Sequence, residues 1–292
     1  MPTYDNLLRR LPSIGEPKVH LDFKQRLKWT GIILLLFLVA SQITIYGVSP
    51  VAAQRFQFLE LILGSKIGSI MTLGIGPIVT ASIILQLLVG SKIIPWDLTT
   101  KEGRSKFQGT QKLMVILFCF FEAFAFVGFG AIQPVSNDGF TVSLMILQLA
   151  VGGIVVLFMD EVVSKWGIGS GVSLFIAGGV TKTIFVRAFN PITPAGAAVP
   201  AGHIPAFFVL LGQGEISQAI ITMLPVIATI IVFLIVVYVQ AIRVDIPLAF
   251  AAVRGFGRRW PLKFIYTSNM PVILTAALLA NMLLIGSMLA NR

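Results

Sequence analysis

Seven stretches of mainly apolar residues divide this chain, at 29–48, 70–89, 113–132, 142–159, 168–184, 220–242 and 267–289. Each is long enough, or nearly so, to cross the roughly 30 Å core of a bilayer as a helix of about 20 residues. A soluble fold cannot absorb them. Of 292 residues, 56% are hydrophobic and 12% charged, whereas a soluble protein carries about 25% charged residues. A soluble globular enzyme is therefore excluded. So is disorder, which needs low hydrophobicity and high charge. The first stretch starts too late, and lacks a cleavage site after a short apolar core, to be a removed signal peptide. The fold class expected is all-α and polytopic in a membrane.

The formal net charge of +10 fixes the orientation. With the amino terminus in the cytoplasm and the spans alternating, that side receives Arg9, Arg10, Lys18, Lys24, Arg26 and Lys28. It also receives Lys92, Lys101, Arg104, Lys106 and Lys112, then Lys165, then Arg243, Arg254, Arg258, Arg259 and Lys263. Those are 17 of the 22 Lys and Arg. This is the positive-inside bias of membrane loops, and nucleic acid is not needed to explain the charge.

Two features depart from plain spans. Residues 54–63 are apolar, but ten residues rise only about 15 Å as a helix. They fit either an amphipathic helix at the outer interface or a re-entrant half-helix enclosed by protein or water. Residues 190–205 hold Pro191, Pro194, Pro200 and Pro205 and read as an irregular external hairpin between five spans and two.

Reactive chemistry finds little support. Ser170, in Gly169-Ser170-Gly171, would need a base within hydrogen-bond reach. The histidines, His20 and His203, lie on no span, and Lys182 is about three turns away. Small residues that let helices pack closely explain Gly167, Gly169 and Gly171 better than a protease site does. Two histidines, the single Cys119 and scattered carboxylates show no metal-ligand spacing. There is no phosphate-binding loop. The expectation is no catalytic residue, no metal and no cofactor. Within the spans Thr80, Gln86, Glu122, Gln148, Lys182 and Asn281 are polar. Glu122 alone is a carboxylate well inside one, thin support for the ion-coupled small-solute transporter that is the alternative reading. Ile75 and Val79, like Val172 and Ile176, are four residues apart on one helix face. Gly74, Gly76 and Pro77 point to a loosened, closely approached backbone there.

These residues belong to longer runs with a resemblance. Thr72-Leu-Gly-Ile-Gly-Pro-Ile-Val-Thr80 and the following Ile-Leu-Gln-Leu-Leu-Val-Gly-Ser91 resemble the second helix of the SecY family of protein-conducting channels. Phe107-Gln-Gly-Thr-Gln-Lys-Leu113, Asp160-Glu-Val-Val-Ser-Lys-Trp-Gly-Ile-Gly-Ser-Gly171 and Ser268-Asn-Met-Pro-Val-Ile273 are similar to that family too. Arg243-Val-Asp-Ile-Pro-Leu248 resembles its archaeal and eukaryotic members.

The resemblance implies a function: passage of unfolded polypeptides across the membrane and lateral release of apolar segments into it. It implies that Ile75, Val79, Val172, Ile176 and Ile273 belong to an aliphatic pore ring. Residues 54–63, with Phe56, Phe58, Leu59, Leu61, Ile62 and Leu63, match the plug. Thr80, Glu122 and Asn281 match a polar cluster at the lateral gate. Arg243, Arg254, Arg258 and Arg259, with Arg104 and Lys106, match a ribosome-docking face. Implied partners are a SecE-type subunit, a small third subunit, the ribosome, nascent secretory and membrane proteins, the signal recognition particle receptor and the bilayer. The implied location is an archaeal plasma membrane. The expected organisation is a cytoplasmic segment 1–28, a first half 29–187, an external hairpin 188–219, and the start of a second half 220–292 with a cytoplasmic loop 243–263. The family has ten spans in two inverted halves. Its last three helices are expected on a second chain or in a longer form of this one.

Overall fold

The computed structural model describes residues 11–19, 21–49, 68–128, 132–136, 138–193, 198–248 and 258–263, together with 275, 279, 282 and 286. The chain divides into two compact units, Met1–Thr181 with Asn269–Arg292, and Lys182–Ser268.

In the first unit, α1 (Phe23–Ala40) begins at Asp22, whose carboxylate accepts from the Phe23 N–H at 2.9 Å. It ends at Ala40, eight residues before the apolar run does, with Ser41 as its cap. The β-branched Ile43, Thr44 and Ile45 that follow suit extended backbone better than helix. Thr44 there bridges to Ser69 and Val48 to Pro134. The helix therefore starts earlier and stops sooner than the apolar run predicts. Helix α2 (Gly76–Gly90) likewise covers only part of the second run. Residues 71–75 form successive turns, with Gly74 at φ +50°, and Pro77 then opens the helix. A proline is at home there because the first helical N–H groups have no internal partner.

Helix α3 (Lys101–Gly128) and helix α4 (Gly139–Trp166) both extend beyond the apolar runs into charged residues at their ends. Gly152 lets the α4 backbone press against the Ile70 carbonyl, and a Cβ on Gly153 would lie 2.7 Å from Cys119 Sγ. Helix α5 (Gly171–Phe189) follows α4 through a short turn, and the boundary between units falls within it. One core cluster joins Ile45, Leu73, Phe126, Ile132, Met145 and Leu149. A second gathers side chains of α1 to α5, with Phe37 stacked on Phe175 at 4.4 Å. Thr275, Leu279, Met282 and Gly286 are helical.

In the second unit, the connection expected to be an irregular external hairpin contains a short helix, α6 (His203–Gly212), packed on α7 (Ile216–Ala241). Ala219 is the one residue of α7 that is buried. A helix this apolar and exposed all round belongs in a non-aqueous surround. The connection expected over 243–263 is not all loop. It holds an antiparallel pair, β1 (Arg243–Leu248) and β2 (Arg258–Lys263), in the register Arg243 to Lys263 through Leu248 to Arg258. A helical fold thus carries one small hairpin. Among the described residues, α3, α4, α5 and α7 are long and apolar enough to cross a membrane, and α2 and α6 are shorter apolar helices.

Candidate functional site

Ile75 closes the turn ahead of α2 and Val79 sits one helical turn on, its N–H donating to the Ile75 carbonyl at 3.0 Å. Both are buried, at 3% and 7% exposure. Val172 and Ile176, one turn apart on α5, are partly buried against the same cluster. Four of the five aliphatic residues singled out from the sequence are therefore brought together from two helices. Ile273 lies outside the described residues, as do residues 54–63, Asn281 and Arg254.

The turn between α4 and α5 sets where Val172 and Ile176 stand. Asp160 Oδ1 accepts from the Val172 N–H at 3.0 Å. A Cβ on Gly171 would lie 2.6 Å from the Asp160 Cα, so the two backbones touch. Thr30 of α1 accepts from the Ile168 N–H at 3.0 Å and donates to the Arg26 carbonyl at 2.9 Å. Gly169 takes φ +79°. The glycines at 167, 169 and 171 thus serve a tight, bonded turn. Ser170 within it is exposed, and its carbonyl accepts from the Leu174 N–H at 3.1 Å.

Beside the aliphatic cluster runs a polar seam between α2 and α3. Thr80 Oγ1 donates to Glu122 Oε1 at 3.2 Å, and Glu122 is only 7% exposed. Lower on α3, Gln111 Nε2 donates to Ser82 Oγ at 2.7 Å, and that hydroxyl donates to the Ile78 carbonyl at 2.6 Å. Sequence reasoning missed this second pair. Gln111 precedes the apolar run taken as the third span, and serine is inconspicuous because it can satisfy itself on its own helix. Their common signal was the proximity of Ser82 to Thr80.

A separate network joins α3, the end of α4 and the segment before α1. Glu161 accepts from Lys112 at 2.6 Å, from Lys165 at 3.0 Å and from the Ile14 N–H at 3.2 Å. Lys165 also donates to the Ile14 carbonyl, and Trp166 Nε1 to that of Gly15 at 2.9 Å. A cleft of about 490 Å³ lies between this segment and α3, lined by Ser13, Glu102, Lys106, Lys112 and Glu161 among others. Before α3, Thr99 donates twice to Asp97, which holds that carboxyl below its ordinary range. Arg104 Nη2 donates to the Thr99 carbonyl at 2.9 Å, and Lys106 pairs with Glu102 at 2.8 Å. In the second unit Arg243 is exposed at the base of the hairpin. Arg258 and Arg259 begin β2 opposite Leu248 and Pro247. Among the described residues no three His, Cys, Asp or Glu gather to hold a metal.

A model of the SecY family matches residues 69–291. The protein translocase subunit SecY of Methanothermobacter thermautotrophicus is 49% identical over 289 residues, 97% of this chain and 63% of that protein. A solved protein-conducting channel superposes with a TM-score of 0.79 at 46% identity, over 97% of this chain and 63% of the other. Sec61 in the canine ribosome–channel complex from the endoplasmic reticulum superposes with a TM-score of 0.78 at 46% identity, with the same coverage. The chain thus spans a little under two thirds of the length of these relatives.

Proposed function

Because the chain belongs to the SecY family, we propose that it contributes the greater part of the central subunit of a protein-conducting channel. Unfolded polypeptides pass along its axis, and apolar segments leave sideways into lipid. It is a conduit and not an enzyme. The observation that carries this reading is the single aliphatic cluster holding Ile75, Val79, Val172 and Ile176. Such a throat seals without gripping. With Ile273 it forms the pore ring, and residues 54–63 form the plug outside it.

The membrane topology follows the charge bias. Seven spans start from a cytoplasmic amino terminus in an archaeal plasma membrane. The first two are the apolar runs around α1 and α2, the next four are α3, α4, α5 and α7, and the last runs through Thr275, Leu279, Met282 and Gly286. Thr80, Glu122 and Asn281 latch the lateral gate. A bond of that kind contributes about 0.6 kcal/mol on average within a membrane, weak enough for an arriving signal sequence to break.

Arg243, Arg254, Arg258 and Arg259 of the 243–263 connection, together with Arg104 and Lys106 in the first turns of α3, dock the ribosome, whose RNA is a polyanion. The canine relative in a ribosome–channel complex supports that partner. A SecE-type subunit, a small third subunit and the signal recognition particle receptor complete the expected assembly. The test is site-specific crosslinking in the full-length protein with its partners. A stalled secretory chain crosslinks to probes at Ile75 and Ile273 and not to lipid-facing Val232. Uniform labelling at all three would overturn the assignment.

A further inference from the structure

The connection from α2 to α3, residues 91–100, is not built as a water-facing loop. Half of it is apolar: Ile93, Ile94, Pro95, Trp96 and Leu98. Ile93 is 71% exposed and Leu98 42%, and Trp96 is partly exposed. Polar groups, by contrast, are bonded within the loop. Asp97 Oδ1 accepts from both the N–H and the hydroxyl of Thr99, and the Asp97 carbonyl accepts from the Thr100 hydroxyl at 2.8 Å. The Thr100 oxygen also accepts from the Gly103 N–H at 3.1 Å, and Arg104 is turned back onto the Thr99 carbonyl. A surface that bonds its polar groups to itself and presents hydrocarbon outward marks an interaction site or a membrane contact.

The level of this surface decides between the two. The apolar run of α2 ends at Val89, where a span of that length leaves the hydrocarbon core. The chain does not project from there. The Ile94 N–H donates back to the Leu88 carbonyl at 3.1 Å, and the Trp96 N–H donates to the Ile94 carbonyl at 2.9 Å. Residues 93–96 are thereby held beside the last turn of α2. Tryptophan, with an apolar body and a polar tip, is enriched at that boundary. Lys92, at φ +59° in the turn that ends α2, is exposed, and so is Lys101 at the start of α3. Over residues 91–106 four cations face two acids, a balance that attracts anionic headgroups.

We propose that the α2–α3 connection is an interfacial anchor that docks on an anionic lipid surface. Ile93 and Trp96 sit between headgroups and acyl chains, and Lys92 and Lys101 meet lipid phosphates. The anchor fixes the depth of α2, the helix that carries Val79 and is preceded by Ile75. It rests on the membrane topology proposed above.

The test uses the full-length protein with its partner subunits in vesicles of phosphatidylcholine, with or without phosphatidylglycerol. Ile93→Cys and Glu16→Cys, both at exposed positions, carry a nitroxide label and are read against the unsubstituted protein treated alike, in which Cys119 is buried. The Ile93 label is expected to collide more with oxygen dissolved in lipid than with a neutral, water-soluble nickel chelate, and the Glu16 label the reverse. Phosphatidylglycerol lowers chelate collisions at Ile93 further, and Lys92→Gln with Lys101→Gln abolishes that further drop. An Ile93 label as open to the chelate as the Glu16 label, in both lipid mixtures, overturns the anchor. So does one that leaves water only when ribosomes are added, which assigns the surface to that partner instead. A label in lipid on a complex that exports no protein leaves the anchor standing and removes the protein-conducting reading. A label in water on a complex that still exports does the opposite.

Discussion

Asp160, in the last two turns of α4, accepts a hydrogen bond from the backbone N–H of Val172 in the first turn of α5, 3.0 Å away. Helix α5 is thus capped by a side chain of the preceding helix. Val172 is also one of the residues proposed to line the throat, so the contact that starts the helix also aims the lining.

Loss of that cap should be measurable. Asp160→Ala leaves an N–H of α5 without its acceptor and should destabilise the protein by about 1 kcal/mol, up to about 2. Gly171→Ala places a methyl 2.6 Å from the Asp160 Cα, and backbone cannot yield as a side chain does. It should cost about 1–3 kcal/mol. Thermal unfolding of the complete protein in detergent reads both, and midpoints equal to the parent would refute the capping role.

Glu161 is the hinge of a different arrangement. Its carboxylate meets Lys112 of α3, Lys165 of α4 and the Ile14 N–H, tying the amino-terminal segment to both helices. Glu161→Gln removes the charge that holds both lysines. A hydrogen bond to a charged group is worth about 1.5–3 kcal/mol, so segment 11–19 should be cleaved about tenfold faster in limited proteolysis. Equal cleavage rates would show that the bonds of Lys165 to the Ile14 carbonyl and of Trp166 to the Gly15 carbonyl hold the segment without Glu161.

The basic loops give a salt-dependent prediction. Each cation that meets ribosomal RNA releases counterions and steepens the fall of affinity with salt. Arg258→Glu with Arg259→Glu should weaken ribosome cosedimentation and lower the salt slope by about one per residue removed from contact. Lys106→Gln should change it less, because Lys106 already pairs with Glu102 at 2.8 Å. Identical slopes for the double variant and the parent would move the docking surface elsewhere.

The apolar runs announced the membrane and the existence of the helices, since any stretch that long and greasy has nowhere else to go. They did not place the ends. Residues 42–48 belong to an apolar run, yet Ile43, Thr44 and Ile45 are β-branched, and Thr44 bridges to Ser69. Residues 71–75 look helical by hydropathy, but Gly74 at φ +50° turns the chain before Pro77 opens α2. Helix α6 hid in a proline-marked connection because Pro205 lies in its first turn, where proline is tolerated. The pair of Arg243–Leu248 with Arg258–Lys263 was obscured by Pro247 and Pro261, which read as breakers. As for the site, helical spacing marked Ile75 with Val79 and Val172 with Ile176, but only the fold shows that the two pairs share one cluster. The Ser82–Gln111 bond needed the true start of α3, and hydropathy alone does not locate it.

The proposed throat yields the most direct prediction. A narrow aliphatic neck excludes water because its side chains give water nothing to bond, so its seal should fail when one member becomes polar. Val79 is buried, and Ile176 is partly buried on the facing helix α5. Val79→Asn and Ile176→Asn each put an amide into that neck at a cost of about 1–3 kcal/mol while it stays dry. Wetting relieves the cost. Resting ion conductance across a planar bilayer holding the full-length complex should therefore rise with either substitution, and rise further with both. Ile176→Leu conserves volume and polarity and should leave it at the parent level, with a stability change under about 1.5 kcal/mol. Should both asparagine variants stay as tight as the parent while still exporting protein, the seal must be made elsewhere, and the plug region would become the element to vary next.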